Sequence, residues 1–219
     1  MILEHKQWVM LGMASMESLY MVAVSALLTA LAGIPLGILL VVWRGGHILE
    51  NRPLAFGLSV LVNVTRAIPF PIFIVLVMPL TKILAGTTIG TTASIVPLTL
   101  GAIVFMARLA ETALLEVPRG VIEAAQAAGA SNWQIIWRVL LPEARSGLIM
   151  AVTITVITLI SFSAMAGYVG GGGLGDLAIR YGYQRYQTSI MLVTVALLIV
   201  VVMAIQAMGD YLVRRITWR

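Results

Sequence analysis

Cysteine is absent from this sequence of 219 residues, and histidine occurs only twice. The chain therefore holds no disulfide and no thiolate metal site, and we expect His5 and His47 to lie in different loops, which indicates no metal site. The phosphate-binding motif G-x-x-x-x-G-K-[ST] is missing, so the chain itself is not predicted to be an ATPase. We find no Ser-His-Asp set and no paired carboxylates, so no enzyme is predicted.

Charged residues are scarce, at 11% of the chain, whereas a soluble domain carries roughly 25%. The sequence is 60% hydrophobic and has a mean hydropathy of +1.02, which predicts an integral membrane protein with one compact domain. The net charge of +5 is spread over several loops, so it predicts membrane orientation rather than binding of nucleic acid. The first long apolar run is too long for a cleavable signal core, so no signal peptide is expected.

Five long runs are almost free of charge, and each is long enough to cross roughly 30 Å of hydrocarbon as a helix. The five predicted spans are 18–43, 54–81, 83–107, 146–175 and 186–209. In the first span, Gly33, Pro35 and Gly37 predict a tolerated kink with close helix packing. The segment before it, residues 1–17, is predicted to be a short tail.

The basic residues of the connecting segments predict the orientation, because cytoplasmic loops are enriched in arginine and lysine. Five spans place the two termini on opposite sides, and we expect the N-terminus outside and the C-terminus in the cytoplasm. The segments then inside carry Arg44, Arg52, Arg108, Arg119, Arg138, Arg145, Arg214, Arg215 and Arg219. The segments then outside carry only Lys6, Lys82, Arg180 and Arg185.

One polar segment, residues 123–142, lies between the third and fourth spans and predicts two short helices joined by a turn. Pro118 suits the start of the first helix, and Gly129 suits its end in a left-handed conformation. Ser131 is expected to cap the second helix, with Gln134 completing a capping box. One face of the second helix is predicted to carry Trp133, Ile136, Trp137 and Leu140. Pro142 is expected to end it.

The spacing of this segment resembles the EAA loop of permeases of ATP-binding-cassette (ABC) importers. The matching residues are Glu123, Ala124, Ala125, Gly129, Val139, Leu141 and Pro142. Val139 stands where isoleucine is usual, which keeps the β-branched shape. In that family the loop, here about residues 114–145, is the coupling helix that docks into a cleft on the ATPase subunit. The alternative is an ordinary helical hairpin. The resemblance implies an ATPase-docking role for Glu123, Ala124, Ala125, Gly129, Leu141 and Pro142.

Arg66 is the one charge in the predicted second span, within the run Arg66-Ala-Ile-Pro69-Phe70. A charge inside a span is costly, so Arg66 is expected either to face a cavity or to snorkel to the inner interface. Pro69 and Pro71 leave backbone carbonyls free, which either line a pathway or kink the helix. The run resembles the second-span motif of amino-acid importers, especially those for methionine, and makes Arg66 and Pro69 candidate pathway residues.

Residues 170–175 read G-G-G-G-L-G and formally contain G-x-G-x-x-G. No strand is predicted before this run and no acidic ribose ligand after it, so a flexible or tightly packed external turn is expected instead of a nucleotide site. In methionine-type permeases a similar run lies near the outer gate. Met165 and Ser161 are therefore candidate pathway or gate residues, against the alternative that Met165 packs in the core.

These motifs together resemble the inner-membrane permease of a bacterial methionine ABC importer. The resemblance implies an all-α, type I importer permease with five spans: an external tail at 1–17 and one transmembrane domain at 18–219. It implies a homodimer, two copies of an ABC ATPase that carry ATP and Mg²⁺, and an external substrate-binding protein, a lipoprotein. The chain itself would need no cofactor and would pass D- and/or L-methionine by alternating access.

Four alternatives are weighed against this interpretation. The first is a permease of the same class for another amino acid or a quaternary amine, and the second is a membrane scaffold that transports nothing. A proton-coupled carrier is disfavoured, because Arg66 is the only ionisable residue predicted well within a span and leaves no carboxylate relay. A soft-metal transporter is disfavoured because the twelve methionines are dispersed.

Overall fold

The computed structural model describes residues 4–217, and within this range every element of secondary structure is helical. Four helices are long and apolar enough to cross a membrane, and the number is five when the bent pair Arg52–Ala67 and Phe70–Leu76 counts as one span. The prediction of an all-helical membrane protein is confirmed, and its five spans agree with the count that includes the bent pair. The helices are α1 (His5–Val42), α2 (Arg52–Ala67), α3 (Phe70–Leu76), α4 (Met78–Ala85), α5 (Thr91–Leu115), α6 (Arg119–Ala127), α7 (Asn132–Ile135), α8 (Leu141–Glu143), α9 (Arg145–Ala166), α10 (Gly173–Leu177) and α11 (Thr188–Thr217).

Helix α1 begins well before the predicted first span. It starts at His5, where the backbone N–H of Glu4 donates a 2.9 Å hydrogen bond to Oε1 of Gln7. The described part of the predicted tail therefore belongs to the first helix, and residues 1–3 lie outside the described range. The prediction that His5 lies in a loop is wrong, because His5 is the first residue of α1. The external location of this segment stays a prediction.

The close packing predicted for the first span is observed between α1 and α5. A Cβ atom on Gly33 would lie 2.8 Å from Cβ of Met106, and one on Gly37 would lie 2.6 Å from Cβ of Ala110. Gly33 and Gly37 are four residues apart and share one face of α1. Because α1 has no side chain at these two positions, Met106 and Ala110 of α5 lie directly against its backbone. Pro35 lies inside α1 without ending it.

The second span is not the continuous run 54–81 that hydropathy predicts. Helices α2 and α3 meet at an angle of 106°. Ile68, which precedes Pro69, is extended at φ −78° and ψ 121°, because proline disfavours the helical conformation of the residue before it. A second break occurs at Val77, and Pro79 lies in the first turn of α4. The prolines therefore divide this region into three short helices.

The limits of the later spans also differ from the predicted ones. Helix α5 starts at Thr91 instead of residue 83, since Gly86 ends α4 in a left-handed conformation at φ 74°. Helix α9 ends at Ala166, and a single 3-10 turn over Gly167–Val169 leads from it into the glycine run. Helix α11 continues past residue 209 to Thr217.

The described loops fall at two ends of the bundle. At one end, Gly173 N–H donates to Glu17 of α1 at 2.8 Å, which joins the glycine run to the start of the bundle. At the other end, His47 and Arg119 line one small cavity, and Arg145 donates to the carbonyl of Ile216 at 3.2 Å. The α1–α2 loop, the segment 114–145 and the end of α11 therefore lie together. Arg219, counted above among the inside charges, lies outside the described residues.

Candidate functional site

The hairpin of residues 118–143 forms as its local signals predict. Pro118 is the N-cap residue of α6, and Gly129, the residue after the C-cap residue Ala128, has φ 78°. Ser131 N–H donates to Oε1 of Gln134 at 2.9 Å, and Gln134 N–H donates to Oγ of Ser131 at 3.3 Å. This reciprocal pair is the predicted capping box, and it is confirmed.

The single apolar face predicted for the second helix is wrong. Ile136 and Leu140 are buried, with Ile135 beside them, whereas Trp133 and Trp137 remain 68% and 54% exposed. A π-helical turn over Ile136–Leu140 changes the spacing of side chains around the axis, so α-helical periodicity does not hold here. Pro142 also does not end the run: it lies inside α8, and α9 follows at Arg145.

Residues of the EAA pattern divide into an exposed group and a packed group. The exposed group consists of Glu123, Ala124, Gly129 and Pro142. Ala125 and Leu141 are half-buried and pack against a hydrophobic cluster that includes Val42, Leu114 and Ile135. This cluster joins the hairpin to the ends of α1 and α5, so a movement of the hairpin would be transmitted to both helices. A docking role for the six residues stays a prediction.

His47 connects the hairpin to the α1–α2 loop. A cavity of about 120 Å³ is lined by His47 and Gly46 from the loop and by Arg119, Glu123 and Gln126 from α6. Burial lowers the pKa of His47 below its ordinary value, and the positive charges of Arg119 and Arg44 lower it further. Both effects disfavour the charged form of the His47 ring beside the first turn of α6.

The second-span candidates lie at the bend between α2 and α3. Arg66 is exposed in the last turn of α2, where a positive charge interacts favourably with the helix dipole. Pro69 is exposed and is the N-cap residue of α3. The bend exposes both side chains, but whether they line a pathway stays a prediction.

Ser161 and Met165 line one cavity of about 610 Å³ between α9 and α11. The cavity wall is mostly apolar and includes Met191, Met203 and Tyr168. Met165 is 39% exposed, so it does not pack in the core of the single chain. Ser163 points elsewhere: it is buried and donates to the carbonyl of Ile160 at 2.8 Å. The sequence pattern thus placed two candidates in one cavity, and their role as a gate stays a prediction.

The glycine run is tightly packed, which decides between the two kinds of turn left open above. Gly172 and Gly173 have φ of 77° and 76°, a backbone conformation that favours glycine. Ser18 Oγ accepts a 2.8 Å bond from the N–H of Leu174, and Glu17 accepts the bond from Gly173. A Cβ atom on Gly171 would lie 2.7 Å from the carbonyl oxygen of Ala166.

A family model described as "Binding-protein-dependent transport system inner membrane component" matches residues 33–218. The chain belongs to this family. The match covers the hairpin, the bent second span and the glycine run, so all of the candidate residues above lie within the matched range.

Named relatives and a solved structure agree with this membership. The permease is 55% identical to the probable D-methionine transport system permease protein MetI of Vibrio cholerae over 206 residues, which are 94% of this chain and 92% of the relative. It is 50% identical to the D-methionine transport system permease protein MetI of Escherichia coli K12 over 69% of this chain and 70% of the relative. Its fold matches a chain of the MetNI methionine ABC transporter in inward-facing conformations, with a TM-score of 0.96, 45% identity and coverage of 98% and 99%.

Sequence reasoning missed one polar cluster of the permease, formed by Arg108, Glu111 and Asn63. Arg108 forms an ion pair with Glu111, which lies one turn further along α5 and is buried. The same guanidinium donates to Oδ1 of Asn63 on α2 at 3.1 Å. Arg66 is therefore not the only ionisable residue within the long helices. The spacing of Arg108 and Glu111, three residues apart, was the available signal, but Asn63 is remote in sequence.

Proposed function

We propose that this permease forms the transmembrane pathway of an ATP-driven importer for methionine, in the D form, the L form or both. The observation that carries the proposal is the match to a chain of the MetNI methionine ABC transporter, at 45% identity and a TM-score of 0.96 over nearly all of both chains. The chain contains no phosphate-binding loop, so ATP and Mg²⁺ belong to a separate ATPase subunit.

The ATPase docks on the exposed side of the hairpin. Four residues of the EAA pattern are exposed there, namely Glu123, Ala124, Gly129 and Pro142. Trp133 and Trp137 are also exposed and add a large apolar surface. Their rings pack edge to face, with centroids 5.5 Å apart. Exposed tryptophans of this kind commonly supply much of the binding energy at protein interfaces. The half-buried Ala125 and Leu141 pack against the hydrophobic cluster on the inner side of the hairpin.

Two copies of the permease assemble around a two-fold axis, each with one ATPase subunit. Support comes from the single hairpin per chain and from the apolar cavity beside Ser161 and Met165, which one chain leaves open. Two-fold dimers are also the commonest homo-oligomers. An external substrate-binding protein, anchored as a lipoprotein, delivers methionine at the end that carries the glycine run.

ATP drives alternating access through the hairpins. Closure of the ATPase dimer moves each hairpin, and the cluster around Ile135 and Leu140 passes the movement to α1 and α5. The third to fifth spans then turn the cavity from the cytoplasmic side to the outer side. Arg66 and Pro69 line the pathway at the bend, and Met165 with Ser161 narrows it near the glycine run.

Transport is tested with the permease–ATPase complex in proteoliposomes. The binding protein is added on the outer side of the membrane, and ATP with Mg²⁺ is supplied on the side that carries the ATPase. Labelled methionine is expected to enter only with ATP, and excess unlabelled methionine is expected to compete with it. Competition by another amino acid or by a quaternary amine instead would assign a different substrate. ATP hydrolysis without uptake of any of these would support the scaffold alternative.

The docking surface is tested by Ala124→Asp and Trp137→Ala. Trp137→Ala is expected to weaken association with the ATPase by about thirtyfold, which corresponds to a hot-spot residue of about 2 kcal/mol. Gln184→Asp, a change at an exposed residue in the loop before α11, is the control and should leave association unchanged. Unchanged association in both hairpin variants would remove the docking claim.

The copy number is tested separately by light scattering of the wild-type complex, which should give two copies of each chain.

A further inference from the structure

A polar cavity lies between α1, α2 and α5 at the hairpin end of the bundle. Its volume is about 540 Å³, which is larger than a water cluster or a single small ion requires. Arg44 contributes from the loop directly after α1, Ser59 from α2, and Arg108, Glu111 and Thr112 from α5. The transport proposal assigns no role to this cavity.

The charges around the cavity leave one positive charge unpaired. Arg108 is neutralised by Glu111 and is held toward α2 by Asn63. Arg44 is exposed, and within residues 4–217 its side chain takes part in no ion pair. The cavity therefore has a net charge of +1, with the hydroxyls of Ser59 and Thr112 beside it. These groups fit a singly charged phosphate diester that also carries hydroxyl groups.

The position of the cavity at the end of α1 and the apolar residues at its edge indicate where such a phosphate would come from. Trp43 and Arg44 stand at the end of a membrane-spanning helix, which is the position that tryptophan and arginine favour at the membrane–water interface. Phe56, which is 73% exposed, and Leu115 line the same cavity. Val60, one turn after Phe56, is also exposed and continues this apolar surface along α2. An acyl chain would cover this strip.

We propose that this cavity binds the headgroup of an anionic phospholipid, with the phosphate on Arg44, headgroup hydroxyls on Ser59 and Thr112, and one acyl chain along Phe56 and α2. Basic cavities between membrane helices are known to select anionic lipid headgroups. The bound lipid would fill the gap between α2 and α5 beside the Arg108–Glu111 pair. This inference requires only that the chain spans a membrane, and it holds whether or not the substrate is methionine.

Native mass spectrometry of the purified permease–ATPase complex tests the proposal by titration with phosphatidylglycerol. Arg44→Gln is expected to weaken the tightest lipid site about fivefold, which corresponds to about 1 kcal/mol for one basic residue near a membrane surface. Arg44→Lys keeps the charge and should bind within about twofold of the wild type. Phosphatidylcholine, which carries no net charge, should bind more weakly than phosphatidylglycerol.

Arg52→Gln is the matched control, because it removes the same charge from an exposed residue at the start of α2 that does not line the cavity. Binding should be unchanged in this variant. Equal loss in Arg44→Gln and Arg52→Gln would show general attraction and overturn the proposal. Displacement of the lipid by inorganic phosphate alone would assign the site to a free anion. Absence of any retained lipid would show that a protein partner covers the cavity, and would also overturn it.

Discussion

Gly37 of α1 lies directly against the side chain of Ala110 on α5. A Cβ atom at residue 37 would lie 2.6 Å from that methyl group and 2.8 Å from the carbonyl oxygen of Ala107. Gly37→Ala must therefore separate the two helices, and we expect it to destabilise the protein by about 1–3 kcal/mol, the usual range for overpacking. Thermal unfolding in detergent, followed by size-exclusion chromatography, measures the change.

Gly57→Ala provides the control for this prediction. Gly57 lies in α2, and nothing stands within 4 Å of the position its Cβ would occupy. The added methyl group should leave stability unchanged or raise it by up to about 1 kcal/mol, because alanine favours a helix more than glycine does. Equal destabilisation by both variants would contradict the role of close packing at Gly37.

The ion pair of Arg108 and Glu111 supports a second prediction at this scale. Breaking a fully buried pair costs about 3–5 kcal/mol, but the Arg108 side chain is 32% exposed, so we expect Glu111→Gln to cost about 1–2 kcal/mol. In a double-mutant cycle, Arg108→Gln with Glu111→Gln should cost less than the sum of the two single changes. The exposed pair Arg52–Glu50 should show no measurable coupling in the same cycle. Additive losses at Arg108 and Glu111 would contradict the prediction.

Single residues with local signals were the ones that the sequence predicted well. Gly129 and the pair of Ser131 and Gln134 act within a few residues, so their spacing is sufficient to indicate a left-handed turn and a capping box. Asn63 and Arg108 are 45 residues apart, and their contact depends on how α2 packs against α5. No local pattern carries that information.

At the scale of elements, the α1–α2 loop packs against α6 through His47. Arg44, Arg119 and Glu123 are the charged groups near its ring, and the pKa of His47 is lowered by burial first and by Arg119 and Arg44 next. When the pKa of a histidine is lower in the folded state than in the unfolded state, the unfolded state binds the proton at a higher pH than the folded state does. The contribution of His47 to stability is therefore present above its ordinary pKa of 6.5 and is lost as the pH falls below that value.

We therefore expect the contact between this loop and α6 to loosen below pH 6.5. Hydrogen exchange of residues 119–127, corrected for intrinsic rates and compared at pH values about one unit above and below the ordinary histidine pKa, measures the effect. His47→Gln keeps a neutral polar side chain and should remove the difference in protection. The same pH dependence in His47→Gln would assign the effect to another group.

The existence of each element was easier to predict than its limits. Pro69, Pro71 and Pro79 mark the breaks of the second span, but hydropathy averages over them and shows one run. The start of α5 at Thr91 depends on Gly86 and on the turn after it, which are as uncharged as the helix itself. In the second helix of the hairpin, packing of Ile135 against the ends of α1 and α5 decided which side was buried.

At the scale of the whole molecule, the predicted inside and outside charges separate to the two ends of the bundle. The hairpin end holds the α1–α2 loop, the segment 114–145 and the end of α11, where Arg145 donates to Ile216. The opposite end holds the glycine run, where the N–H of Gly173 donates a hydrogen bond to Glu17. The sequence alone indicated this separation, because five spans alternate in direction and the arginines follow the alternation.

The orientation itself is tested by chemical labelling, which the absence of native cysteine makes simple. Ala128→Cys introduces a thiol on the exposed side of the hairpin, and Gln184→Cys introduces one in the exposed loop before α11. In intact spheroplasts, a membrane-impermeant maleimide should label Gln184→Cys and should leave Ala128→Cys unlabelled until the membrane is permeabilised. ATP is available only in the cytoplasm, so an ATPase can drive the hairpin only from that side. Labelling of Ala128→Cys in intact spheroplasts would place the hairpin outside and remove the physical basis of ATP-driven transport through it.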